Sequence, residues 1–317
     1  MNRVLLLLYV FMVFVGCDNP DVRKTSELEG FRVLGLRTTP HVIELNASFD
    51  VLTVEVIAFA EQEATAYEWT LCASLGALDR FECIPDTPTL TGQSTSAQWS
   101  IPFNTSVFGA LETSEVQATL DAWVPPVCPD YELIACDAQR TCPSGALCVG
   151  ETCRSPTELY PIQFIVRVQP ILGTEEGIPA ALSIPIRAGT SNNTQIQALG
   201  LTVDDTEMVP MRNGDCTTLV LSHRSAKPIA IALSVDASSL DSFTTARDDM
   251  CIEGSELETG TVSWFAQGAT LQKSISSLDD PTNEMEIESE SKSITLYGIL
   301  RDGRGSLDYV CAHGELE

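Results

Sequence analysis

Val51-Leu52-Thr53-Val54-Glu55-Val56-Ile57-Ala58-Phe59-Ala60 is the stretch that decides the fold class. Leu52, Val54, Val56 and Ala58 fall on one side of an extended chain, with Thr53 and Glu55 on the other. Side chains alternate between the two faces of a strand, so this period of two predicts a half-buried β-strand. Its neighbours read the same way. In Tyr67-Glu68-Trp69-Thr70-Leu71, Tyr67, Trp69 and Leu71 share a side. Residues 31–36 form an apolar run broken by Thr38-Thr39-Pro40. Residues 98–101, 163–168 and 180–186 complete a first set of strands, with Gly173 and Gly177 between the last two.

The second half of the chain repeats this order. Residues 196–203 open it, and residues 227–235 alternate, with Ile229, Ile231 and Leu233 on one face. Thr261-Val262-Ser263-Trp264-Phe265 corresponds to the Trp69 stretch, and residues 285–287 give a short later strand. Residues 294–300 and 307–311 form a hairpin around Arg301-Asp302-Gly303-Arg304-Gly305, where Asp-Gly supplies the positive φ that a tight turn needs. A tryptophan on the third strand, packed between two sheets, is the usual core plug of an immunoglobulin-like sandwich. Turn signals recur between short strands, and only residues 110–119 have a helical look, which favours an all-β chain. The expected fold is two tandem immunoglobulin-like β-sandwiches, residues 31–189 and 190–317. The first is interrupted by a cysteine-rich insert at about residues 102–158.

Of 317 residues, 44 are Asp or Glu and 18 are Lys or Arg, giving a formal net charge of −26. Nucleic-acid affinity comes mainly from basic side chains on phosphates, so a nucleic-acid partner is not expected. The simplest role of such a surface is to keep the protein soluble and apart from its neighbours. Calcium is the other reading of acidic excess, yet the chain has no D-x-[DN]-x-[DN]-G loop.

Residues 1–17 set the compartment. Arg3 gives a basic start, residues 4–16 carry no charge, and Cys17 follows Gly16. The run is too short to span a bilayer, which takes about 20 apolar residues. It has the layout of an export signal that ends in Gly-Cys. Phe14-Val15-Gly16-Cys17 resembles a bacterial lipoprotein signal, which implies cleavage before Cys17 and a lipid on its thiol. Residues 18–30 are polar and read as a flexible tether.

An exported chain meets an oxidising compartment, so the other ten cysteines are disulfide candidates: Cys72, Cys83, Cys128, Cys136, Cys142, Cys148, Cys153, Cys216, Cys251 and Cys311. Within the insert, Cys136, Cys142, Cys148 and Cys153 are separated by five, five and four residues with no histidine between them. That pattern suits disulfides better than zinc, so no metal or other cofactor is expected. The expected pairs are Cys72–Cys83, Cys216–Cys251, Cys136–Cys148 and Cys142–Cys153, which leaves Cys128 and Cys311 to join each other across the domain boundary or to stay free.

Phe31-Arg32-Val33-Leu34-Gly35-Leu36-Arg37, Tyr67-Glu68-Trp69-Thr70-Leu71-Cys72 and Leu300-Arg301-Asp302-Gly303-Arg304-Gly305 together resemble uncharacterised cell-surface lipoproteins of myxobacteria and related delta-proteobacteria with immunoglobulin-like or PKD-like modules. The stretch from Cys142 to Arg154 resembles small cysteine-rich repeats of that group's surface proteins. The resemblance implies β-sandwich modules in the cell envelope, and it carries no catalytic residue.

Catalytic signals are weak. His41, His223 and His313 lie in polar or turn-like surroundings, and G-x-S-x-G, H-E-x-x-H and phosphate-binding glycine loops are missing from the sequence. The acidic run from Asp279-Asp280 through Glu284, Glu286, Glu288 and Glu290 reads as a solvated loop and an exposed strand face, and Asp204-Asp205 as a turn. Tyr67, Trp69 and Trp264 read as core rather than as sugar-stacking platforms. The expectation is a non-enzymatic, membrane-anchored surface lipoprotein of the bacterial envelope. Its sandwiches act as a stalk that presents the insert to an envelope protein or polysaccharide. The alternative is a carbohydrate-binding or glycan-processing envelope protein.

Overall fold

The structure is a computed structural model that describes residues 28, 30–44, 50–75, 82–85, 87–102, 135, 147–149, 152–154, 159–187, 195–204, 206–208, 216–219, 227–240, 242–246, 253–257, 259–302 and 305–316. It is all-β: one short 3-10 turn at Ala237–Ser239 is the sole helical element among the described residues. Residues 110–119, the expected helix, lie outside them.

The first sandwich contains β1 (Phe31–Thr39), β2 (Ile43–Glu44), β3 (Val51–Ala60), β4 (Ala66–Leu75), β5 (Leu90–Ser94), β6 (Gln98–Pro102), β7 (Leu147–Val149), β8 (Thr152–Arg154), β9 (Leu159–Leu172), β10 (Glu175–Glu176) and β11 (Ala180–Arg187). A sheet ordered β1-β3-β6 faces a sheet ordered β2-β11-β9-β4-β5. Leu52, Val54 and Val56 meet Trp69, Leu71, Phe164 and Val166 between them. Strands β7 and β8 form a separate hairpin inside the insert, with Cys148 opposite Cys153 in its register.

The second sandwich contains β12 (Ala198–Val203), β13 (Thr206–Met208), β14 (Thr217–Thr218), β15 (Ile229–Val235), β16 (Ser242–Ala246), β17 (Glu253–Leu257), β18 (Gly260–Gln267), β19 (Ala269–Leu271), β20 (Ile275–Ser277), β21 (Thr282–Ile287), β22 (Ser293–Asp302) and β23 (Leu307–Glu315). Its sheets run β13-β12-β15-β21-β19 and β14-β23-β22-β18-β20. The halves therefore correspond strand for strand: β1-β3-β6 to β12-β15-β21, and β11-β9-β4-β5 to β23-β22-β18-β20. A two-residue edge strand pairs in parallel in both halves, β2 with β11 and β14 with β23.

The tryptophans occupy equivalent places. Trp69 on β4 and Trp264 on β18 are both fully buried. A buried indole N–H needs an acceptor. Trp69 donates to Ser94 Oγ at 2.9 Å and Trp264 to Ser276 Oγ at 2.8 Å, each serine lying on the next strand of the sheet.

Two disulfides are described. Cys72 is joined to Cys83, between β4 and the segment leading to β5. Cys216 is joined to Cys311, which corrects the expected Cys216–Cys251 pair. The reason is the parallel pairing of β14 with β23: Thr217 lies opposite Ala312, which sets the preceding Cys216 beside Cys311 with a Cα–Cα distance of 4.7 Å, inside the range a disulfide can bridge. A pairing two residues long leaves no hydrophobic period to read. Cys251 falls between β16 and β17, outside the described residues.

The sandwiches are stacked rather than strung end to end. The outer faces of β1 and β3 pack against the outer face of β22 and β23, and the molecule becomes four sheets deep. The expected stalk is thus replaced by a side-by-side arrangement, because both facing surfaces are apolar. Leu28, expected within a free tether, is buried where the two sandwiches meet.

Candidate functional site

The joint between the sandwiches is the most elaborate feature among the described residues. Ile57 and Phe59 alternate with the core residues of β3 and point the other way, toward the second sandwich. With Leu28 and Leu34 they pack against Tyr297 and Ile299 of β22 and Leu307 and Cys311 of β23. Phe59 meets Tyr297 edge to face, with ring centroids 6.5 Å apart. Complete burial of a side chain of this size is worth about 1.5–3 kcal/mol, so the eight residues form a third core.

A local irregularity lets the two surfaces lock. The pairing of β1 with β3 slips between Val33 and Gly35, leaving Leu34 without a partner residue. A bulge of this kind re-aims the side chain and takes the carbonyl out of the ladder. Leu34 then enters the joint, and its carbonyl accepts a hydrogen bond from Arg301 Nη2 at 2.6 Å. Arg301 Nη1 donates to Ser263 Oγ at 2.8 Å. Burial pulls the Arg301 guanidinium below its ordinary pKa. Gly35 is required by the close approach: a Cβ there would stand 2.7 Å from Leu307 Cδ1.

Charged and aromatic groups fringe this apolar centre. Arg37 donates to Glu55 Oε2 from Nε at 2.9 Å and from Nη2 at 2.5 Å, and reaches Asp308 Oδ1 across the joint at 3.4 Å. Its guanidinium lies 5.8 Å from the Tyr309 ring centroid, and that of Arg32 lies 5.2 Å from Phe265. Burial pushes the Tyr297 phenol above its ordinary pKa, and Tyr309 adds to the rise.

The contacts run in order along the strands and define two ends. At the near end, the Leu28 N–H donates to the Ala266 carbonyl at 2.9 Å, and Gln267 Nε2 donates to Glu61 Oε1 at 2.8 Å. At the far end, Gly305 lies against Pro185 and the His41 carbonyl, and Asp308 accepts from the Ala198 N–H at 2.8 Å. Strand β1 starts near and finishes far, so about 30 Å of extended chain separates the two. The insert leaves β6 at Pro102, opposite Val51, and rejoins at Leu159, opposite Arg187. Both are far-end positions. The segment carrying β16 and β17 leaves after Val235, opposite Ala198, and returns at Gly260, opposite Asp302, also at the far end.

The remaining residues singled out in the sequence are scattered. His41 is buried at the far end of the joint, whereas His313 is exposed on β23, with Nδ1 2.9 Å from Thr295 Oγ1. Glu284 and Glu286 are exposed on β21, alternating with buried Asn283 and Met285. Asp280 accepts from Thr282 Oγ1 in the preceding turn, and Asp204 occupies a turn with φ of 48°. Trp99 stacks on Trp69 with centroids 5.8 Å apart, from the edge strand β6. Among the described residues, no three of His, Cys, Asp and Glu converge as a metal site would require. Cys17, Cys128, Cys136, Cys142, His223, Trp123 and Asp205 lie outside the described residues.

The joint itself went unread at the sequence level, although two signals pointed to it. Ile57 and Phe59 occupy the face that Thr53 and Glu55 began as polar. Residues 294–300 form an almost unbroken apolar run, the mark of a strand covered on both faces, and β22 is buried throughout that span.

No family model and no curated protein matches the sequence. Among solved structures, the chain is similar to the fibronectin(III)-like modules of Clostridium thermocellum CbhA, at 8% identity and a TM-score of 0.20, over 89% of this chain and 94% of that one. It is similar to a bacterial ice-binding adhesin, at 10% identity and a TM-score of 0.21, over 93% and 67%. It is also similar to red sea bream transglutaminase, at 10% identity and a TM-score of 0.21, over 90% and 32%. At such scores these likenesses carry no argument about what the chain does.

Proposed function

We propose that the protein is a non-enzymatic surface lipoprotein of the bacterial envelope. It is held in a membrane by a lipid on Cys17 and serves as a rigid structural or adhesion module. The observation that carries this reading is the opposition of the two ends. The first described residue, Leu28, is pinned at the near end, while the insert's roots, Pro102 and Leu159, stand at the far end. Ten residues lie between Cys17 and Leu28, and the connection reaches at most about 40 Å when extended. An anchored molecule is thus tethered through its near end, and the insert stands at the opposite end of a body stiffened by the joint. The insert is the element that meets an envelope protein or polysaccharide.

The burial of Trp69 and Trp264 removes them as sugar platforms and favours this reading over glycan binding through those residues. Growth of cells with labelled palmitate tests the anchor. The expected result is label on the wild-type chain and none on Cys17→Ser. Crosslinking on intact cells, followed by identification of the attached species, tests the outward role. Attachment through residues of the insert is expected, and attachment confined to the near end would contradict it.

A further inference from the structure

Both sandwiches carry the same irregularity on their first strand, but only one of the two strands is gripped from outside its own sheet. The pairing of β12 with β15 slips between Ala198 and Gly200, as that of β1 with β3 slips between Val33 and Gly35, so Leu199 corresponds to Leu34. Leu199 is 45% exposed, whereas Leu34 is 4% exposed inside the joint. Three hydrogen bonds across the joint also hold β1 and the residues that lead into it. The Leu28 N–H donates to the Ala266 carbonyl, Arg301 Nη2 to the Leu34 carbonyl, and Arg37 Nη1 to Asp308 Oδ1. They are spread from the near end to the far end, and none belongs to the ladder of the first sandwich. Tension is the load that such a grip resists. A pull on the chain ahead of Phe31 acts on β1 along its own axis, away from the far end. Among the described residues, β1 is an edge strand held in its sheet by eight residue pairs with β3. Ladder hydrogen bonds lie perpendicular to antiparallel strands, so an axial pull loads them together in shear.

We propose that the second sandwich is a clamp on β1, which holds that strand against axial slip when the chain is pulled from its N-terminal side. To slide, β1 must shear its pairs with β3, drag Leu34 out of its packing in the joint, and break the bonds to Ala266, Arg301 and Asp308. The force itself passes from β1 through β3 to the far end of the first sandwich. The second sandwich stands beside that line and braces it. The bulge at Leu34 gives the clamp its hold, because a leucine set out of the ladder catches on the joint as a regular strand would not. The inference deepens the anchored reading above and rests on it for the source of tension. Its consequence is a division of labour between two units of one design: the first sandwich carries the load, and the second keeps its edge strand from pulling out.

Single-molecule stretching of the chain without residues 1–17 tests it, with one handle on the N-terminal residue. A second handle at Val51, exposed at the far end, shears β1 against β3. A second handle at Glu315 instead, exposed at the near end opposite Ser293, peels strands apart one pair at a time. The rupture force toward Val51 is expected to be at least about twofold that toward Glu315. Arg301→Met, which removes the donors to Leu34 and Ser263, is expected to lower the force toward Val51. Ile299→Asp is expected to lower it further, and Ala232→Asp to leave it unchanged. Equal forces along the two directions would overturn the clamp, whatever the palmitate labelling of Cys17 shows. So would a force toward Val51 that neither Arg301→Met nor Ile299→Asp reduces. The expected forces in a chain that takes up no palmitate would overturn the anchor and leave the clamp standing.

Discussion

Strands β3 and β15 hold the same place in the two sandwiches, and their inward faces are alike: Leu52, Val54 and Val56 in one, Ile229, Ile231 and Leu233 in the other. Their outward faces differ. Strand β3 turns Ile57 and Phe59 outward into the joint, both buried. Strand β15 turns out Ala230, Ala232 and Ser234, none of them buried. Inward alternation builds each sandwich, while the size and polarity of the outward residues decide whether a sandwich stacks on another. The repeat thus made one unit twice and gave only the first a sticky back. The second supplies the complementary surface from the opposite sheet, through Tyr297 and Ile299 on β22.

The comparison breaks most sharply with Ile299→Asp, which places a carboxylate in the dry centre of the joint. The expected loss exceeds about 4 kcal/mol, since an unpaired buried charge is among the costliest changes a fold can meet. Calorimetry should show one thermal transition dividing into two. Removal of the disulfides comes next. In the chain-entropy treatment, Cys216–Cys311 closes a span of 95 residues and contributes about 4.7 kcal/mol, whereas Cys72–Cys83 closes 11 and contributes about 2.8 kcal/mol. Replacing Cys216 and Cys311 by Ala should therefore shift the urea midpoint further than replacing Cys72 and Cys83.

A smaller effect is confined to alkali. The pKa of Tyr297 is raised on folding, so its contribution is fully present below the ordinary phenol value near pH 10 and is lost as pH rises through the folded value. Tyr297→Phe should flatten the loss of stability above pH 10 in a denaturation series and leave the neutral range little changed. The smallest effect belongs to Ala232→Asp on the open face of β15, expected within about 0.5 kcal/mol of wild type. A large loss there would mean that the two outward faces are not different after all.

Both cores were legible because burial on one face imposes a period of two, and Trp69 and Trp264 marked the same strand in each half. What escaped was short or relational. Strands β2 and β14 are two residues long and show no period, so the Cys216–Cys311 bridge that β14 sets up leaves no mark in the sequence, where Cys251 is the nearer cysteine to Cys216. The joint is relational in a different sense. Ile57, Phe59 and the run from Ile294 to Leu300 advertise faces that want cover, but sequence alone does not say that each covers the other. The bulge at Leu34 and the close approach at Gly35 acquire meaning only once that pairing is known.

Small-angle scattering by the chain without residues 1–17 tests the four-sheet stack most directly. Side-by-side sandwiches should give a radius of gyration of about 20 Å, close to that of one globular body of this length, whereas an end-to-end stalk would give about 25 Å. A value near 20 Å that rises in Ile299→Asp and stays put in Ala232→Asp is the predicted result. A wild-type value near 25 Å, unchanged by Ile299→Asp, would contradict the joint.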